Sequence, residues 1–160
     1  MPNVLTTLTS TGVGPMTLPT PSVRPSHYSG EHGEMWQWLG DGRELISLSV
    51  AVRDTRLGTQ KGVADHLNWE VERIRKQLDA GADSRVRAGV DVRVDGAVGS
   101  AAADVDGTQR GTDVRNRLVV TTDGAHMHVV QVMVRDHENG RELAAEISSR
   151  LVVEPWTGSS

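Results

Sequence analysis

The sequence predicts an α+β domain: an antiparallel β-sheet of about six strands, flanked by a long helix and a short C-terminal helix. Three observations carry this. Residues 44–53, ELISLSVAVR, alternate apolar and polar side chains at the period of a strand. Residues 59–79 place apolar side chains at helical spacing. Residues 85–135 hold three Asp-Gly pairs, at 95–96, 106–107 and 123–124, between runs rich in valine. With 37 % hydrophobic and 24 % charged residues, 160 residues suffice for one soluble globular domain with a real core. Aromatics are only 3 %, so that core is aliphatic.

Residues 1–33 hold five of the six prolines, many Thr and Ser, and few charges. They read as an extended, partly polyproline-like arm without a core of its own. The domain proper is expected over 34–156, followed by a tail at 157–160. MWQWL and ELISLSVAVR form two strands around the turn GDGR. Trp36 and Trp38 share one face of the first, and at least one of them belongs in the core. In the second, Ile46, Leu48, Val50 and Val52 share one face. Val63, Leu67, Val71, Ile74 and Leu78 then mark a helical stripe roughly 80° wide, closed by Gly81 as a C-cap.

Residues 85–135 read as a four-stranded meander. With Asp95-Gly96 as the first corner, Val94 faces Ala97, Arg87 faces Asp104 and Arg85 faces Asp106. Opposite charges thus meet across strands. The same rule at the other corners puts Val86, Val90, Val92, Val94, Ala101, Val105, Val114, Leu118, Val120, Met127, Val129 and Met133 on one face. The long helix is expected to cover that face, with the short helix beside it or at the sheet's end. Asn116 and Gln131 share the face as a polar pair that hydrogen-bonds if covered. The short helix begins at Asn139 as N-cap, with Glu142 three residues on, and buries Leu143, Ile147 and Leu151. LVVEPW reads as a last short strand.

This order resembles the PsbP-like fold, an antiparallel sheet flanked by helices. The stretches that carry the resemblance are ELISLSVAVR, VADHLNWEVERIRKQL, VRVDGAVGSAAADVDG, VVTTDGAHMHVVQVMV and LAAEISSRLVV, spanning about residues 35–153. The fold occurs in a photosystem subunit, a Ran-binding nuclear import factor, actinobacterial lipoproteins and chaperones for secreted effectors. The resemblance implies a protein-binding role without shared catalytic residues. The arm differs from the usual entry strand, and the lipid-attachment cysteine is missing.

Composition narrows the partners. Seventeen basic and 21 acidic residues give a net charge of −4 without a basic tract, which disfavours nucleic acid. Lysine occurs only at 61 and 76; the arginine preference fits a GC-rich genome. Cysteine is absent, so disulfides and thiolate metal sites are excluded. No run approaches 18 apolar residues, and the N-terminus lacks a signal peptide's pattern, so a cytoplasmic location is expected unless a leader was removed.

No catalytic constellation emerges, no cofactor is implied, and an enzyme is not expected. Serines 47, 49 and 100 lack a nucleophile elbow. Three surfaces remain. Trp69 lies roughly 160° from the apolar stripe, beside Asp65, Arg73 and Lys76, and a large ring on a polar helical face invites a partner. Its cover is either the arm (Pro19, Pro21, Pro25, Tyr28), a second copy of the chain, or another protein. Arg93, Arg115 and Arg117 fall on the sheet's other face and could hold an anionic ligand; ordinary pairing with Asp91, Asp104 and Asp113 is the simpler reading. His126 and His128 project to one side of a strand at a spacing that suits a metal ion, but no third ligand is placed. A protein-binding adaptor or chaperone-like module is the leading expectation. The alternative is a small-ligand or metal-binding protein using the polar face.

Overall fold

The computed structural model describes residues 4–8, 16–21, 24–30, 33–40, 42–54, 60–79 and 84–154. Gly81, Trp156 and the tail fall outside them. Seven antiparallel strands make the main sheet: β3 (Ser26–Gly30), β4 (Gly33–Leu39), β5 (Leu45–Asp54), β6 (Arg85–Ala88), β7 (Gly99–Gln109), β8 (Thr112–Thr122) and β9 (His126–Arg135). Their spatial order is β3-β4-β5-β9-β8-β7-β6. A smaller sheet joins β1 (Val4–Leu8), β2 (Met16–Thr20) and β10 (Val152–Val153), with β2 in the middle. Helix α1 spans Gln60–Gln77 and α2 spans Glu138–Ser149.

From Ser47 onward the alternation in β5 divides the sheet's two sides; a register shift between Leu45 and Ser47 puts Leu45 in the core and turns Ile46, expected beside Leu48, to the open side. Leu48, Val50 and Val52 are buried on one side, with Trp36, Trp38, Val119, Val130, Val132 and Val134. Leu143, Ala144 and Ile147 of α2, and Met16, Leu18 and Val153 of the small sheet, close over them. Val63, Leu67, Val71 and Ile74 of α1 cover Ala103, Val105, Leu118, Val120, Met127 and Val129 on the other side. Each such fully buried aliphatic side chain contributes about 1.5–3 kcal/mol. Both tryptophans of β4 are therefore core residues.

Five further expectations are corrected. The corner expected at Asp106-Gly107 does not exist, because β7 runs straight through it. A Cβ on Gly107 would lie 2.5 Å from Leu78 Cδ1, so this glycine lets the end of α1 approach the strand. The chain turns instead at Arg110-Gly111, both at positive φ (51° and 79°), with Gln109 opposite Thr112. Asp79 anchors that turn, its carboxylate accepting from Arg110 N at 2.9 Å and Gly111 N at 3.0 Å.

The first corner keeps its register, Arg85 opposite Asp106 and Arg87 opposite Asp104. Pairing stops at Ala88, however, and Gly89 turns the chain at φ 72°. Val90, Val92 and Val94 consequently pack with the α2-side core, opposite to Leu118 and Val129. Val153 N donates to Asp95 O at 2.9 Å and ties this segment to the small sheet.

Helix α2 lies on the side opposite α1, not beside it. Its N-cap is His137 rather than Asn139: Nδ1 accepts from Gly140 N at 3.3 Å. Finally, the described residues of the N-terminal segment do not lie across α1. Met16 and Leu18 are in the α2-side core, and Ser26–Gly30 is the exposed edge strand β3.

Candidate functional site

Helix α1 packs on β7 and β8 and leaves the neighbouring half of the same sheet face open. Three depressions share residues along this open half. The first, about 350 Å³, has Ser47, Ser49, Gln131, Met133 and Gln37 in its floor and Glu70, Arg73 and Gln77 of α1 as its wall. The second, about 450 Å³, continues from Gln37, Ser47 and Met133 to Leu39, Arg110 and Arg135. The third, about 270 Å³, continues from Met35, Ala51 and Arg53 to Tyr28 and Glu34. Ser47 and Ser49 line the floor because they alternate with the buried Leu48 and Val50.

The wall carries a polar chain. Glu70 is 1 % exposed. Its Oε2 accepts from Arg73 Nε at 2.9 Å and Nη2 at 2.6 Å, and His66 Nε2 lies 3.3 Å from Oε1. Burial pushes the Glu70 carboxyl up, but the bonds from His66 and Arg73 outweigh it and hold the group below the ordinary carboxylate range. Arg73 Nη2 also reaches Gln131 Oε1 at 3.3 Å, and Gln131 Nε2 donates to Asn116 Oδ1 at 2.9 Å. The Asn116–Gln131 bond expected from sequence thus forms, although Gln131 sits opposite Leu118 in the ladder.

Of the four α1 residues expected at a partner surface, Trp69, Asp65 and Lys76 are exposed. Trp69 is 55 % exposed and stacks on His66, ring centroids 5.6 Å apart. Arg73 differs: it is half-buried and turned into the groove. Tyr28, Met35 and Leu39 line the groove and are 53 %, 37 % and 67 % exposed. Trp69 and these three are most of the exposed large hydrophobic side chains among the described residues.

The sheet's other side is not the solvent-facing polar surface expected. Arg115 is 7 % exposed and donates Nε and Nη2 to the two oxygens of Asp106 at 2.8 and 2.9 Å. Arg117 grips Asp104 in the same way, at 2.8 and 2.9 Å, and Nη1 lies 3.3 Å from Ser148 Oγ of α2. Both forks clamp β8 to β7, and that of Arg117 also reaches α2. Burial, followed by the Asp136 and Asp104 carboxylates, pushes Asp106 up to about 6 against Arg87 and Arg141. The fork from Arg115 favours the ionised form, so the pair is charged at neutral pH. Arg93 stands apart from the clamps, exposed in the irregular segment before Asp95.

His126 and His128 point to the α2 side and are both buried. His126 Nδ1 lies 3.1 Å from Asp123 Oδ2, and Asp123 also accepts from the backbone N–H groups of Ala125 and His126. Burial raises the Asp123 carboxyl, but these bonds prevail and lower it. His128 is fully buried, opposite Thr121 and Val52, and neither ring nitrogen has a hydrogen-bond partner. Burial pulls its pKa down to about 4, so the ring is neutral. Among the described residues, no group of three or more His, Asp or Glu side chains could hold a metal ion. No helix among them is long and apolar enough to cross a membrane.

The sequence reading missed the groove residues Glu70, Gln131, Ser47, Ser49 and Arg53. The signal for the serines was their alternation with Leu48 and Val50, which fixes their face but not that the face stays open. No protein-family model matches the chain, and a comparison with curated proteins finds no similar one.

Proposed function

We propose that this chain is a non-catalytic protein-binding module, of adaptor or chaperone-like type, that docks its partner on the open half of the sheet beside α1. One observation carries the reading: Tyr28, Met35 and Leu39 are all well exposed along one concave surface. Aromatic and methionine side chains clustered on a concave face are the composition of a binding hot spot. The PsbP-like order of elements supports the same role. The alternative site, built on Arg93, Arg115, Arg117, His126 and His128, has little support, because Arg115 and Arg117 are engaged by Asp106 and Asp104 and both histidines are buried.

Photo-crosslinking tests the reading. A benzophenone amino acid at position 39 should give a discrete adduct in cells of the source organism, and one at position 152 should give none. Val152 is a suitable control because it is exposed but lies in the small sheet. An adduct at the mass of two chains identifies the partner as a second copy. Equal smears from both positions, or no adduct at 39, contradict the proposal.

A further inference from the structure

We propose that the groove selects an acidic, extended segment of its partner, about seven residues long, that carries both carboxylates and aliphatic side chains. This rests on the protein-binding reading above and adds the chemistry of the partner.

The first argument is charge. The whole chain carries −4. Yet the joined depressions are lined by Arg53, Arg73, Arg110 and Arg135 against only Glu34 and Glu70. Glu70 and Arg73 offset each other, which leaves Arg53, Arg110 and Arg135 against Glu34. A basic trough in an acidic protein attracts an anionic segment, while the remaining surface repels it.

A second argument is an unmet donor. Arg53 Nε is buried and makes no hydrogen bond. A guanidinium N–H withdrawn from water without an acceptor is costly, and a carboxylate is the acceptor that fits its fork. Length is the third. Arg53 and Ile46 lie at opposite ends of the groove, seven residues apart along β5. That is about 23 Å, the span of about seven extended residues. Between the ends, Met35 and Met133 offer adaptable apolar contacts for side chains of differing shape. A nucleic-acid strand is a poorer fit, since among the described residues lining the groove Tyr28 is the single aromatic side chain, too few to stack successive bases.

The test uses the full chain and fluorescein-labelled octapeptides in which Leu alternates with Glu, Gln or Lys, together with a labelled oligouridylate of eight nucleotides. Fluorescence anisotropy should show the Glu peptide binding at least tenfold tighter than the Gln peptide, more weakly as salt is raised, and the Lys peptide not at all. Arg53→Gln combined with Arg135→Gln should weaken the Glu peptide at least tenfold. Arg93→Gln, outside the groove, should leave it unchanged, and circular dichroism checks that each variant is folded. Equal binding of the Gln and Glu peptides overturns the acidic selection while leaving a protein-binding groove. Preference for the Lys peptide or the oligouridylate overturns it too, as does failure of every probe. Protein binding itself is decided separately, by the crosslink at position 39.

Discussion

Glu70 Oε2 accepts both Nε and Nη2 of Arg73, at 2.9 and 2.6 Å, one helical turn along the wall of the open groove. The carboxylate is buried and the guanidinium half-exposed, so the pair is stronger than a surface ion pair but remains partly screened. Glu70→Gln should cost about 1–2 kcal/mol in urea unfolding at pH 7. The folded-state pKa of Glu70 is depressed, so its contribution is present above the unfolded value of 4.5 and is lost as pH falls through the folded value. The gap between wild type and variant should therefore close in acid.

The contact between Gly107 and Leu78 predicts a non-additive pair. Gly107→Ala in an ordinary strand would gain a few tenths of a kcal/mol from the unfolded state. Here its methyl would meet Leu78 Cδ1 at 2.5 Å, and the leucine must turn aside to admit it, so that gain is expected to be cancelled. Leu78→Ala removes the obstruction, and in a double-mutant cycle the alanine at 107 should then be stabilising.

His128 gives the fold an acid weakness. Its pKa is about 4 in the folded protein and 6.5 when unfolded. Between those values the unfolded chain binds the extra proton, so stability falls as pH drops from 6.5 towards 4, by up to about 3 kcal/mol. His128→Leu should leave stability at pH 7.5 unchanged or higher, since two unpartnered ring nitrogens disappear. It should also flatten the unfolding free energy between pH 6.5 and 4, read by chemical denaturation at half-unit steps.

Arg117 and Asp104 predict an asymmetry between breaking a buried pair and replacing it. Arg117→Met leaves the 3 % exposed Asp104 with only the 3.8 Å contact to Arg115, and should cost about 3 kcal/mol. Adding Asp104→Leu should recover most of that loss in thermal or urea unfolding.

Much of the fold was legible because side chains alternate with period two. Moving a hairpin tip from Asp106-Gly107 to Arg110-Gly111 shifts the pairing by an even number of residues, which keeps Val105, Leu118 and Val129 on one side. The third corner shows the same tolerance: Thr121 is expected opposite His126 and is found opposite His128. The second corner was misread because an Asp-Gly pair also serves where a helix must approach a strand, and that need appears only once Leu78 is placed. Val90 was misplaced because Gly89 breaks the ladder.

The site was less legible than the fold. Trp69 is exposed, as its position off the apolar stripe implied. The groove depends on where α1 lies across the sheet. Nothing in the α1 stripe says that it covers β7 and β8 rather than β5 and β9. The arginines of β8 were visible, but not the two forks they form on Asp106 and Asp104, nor the reach of Arg117 to α2.

Cysteine footprinting tests the central claim most directly, and the cysteine-free chain makes it clean. Leu39→Cys and Val152→Cys variants would be labelled with a maleimide, as purified protein and in extract from the source organism. Slower labelling at 39 in extract, with an unchanged rate at 152, is the result expected of a partner seated on the open half of the sheet. Equal rates at 39 in both settings, or slowing confined to 152, would contradict it.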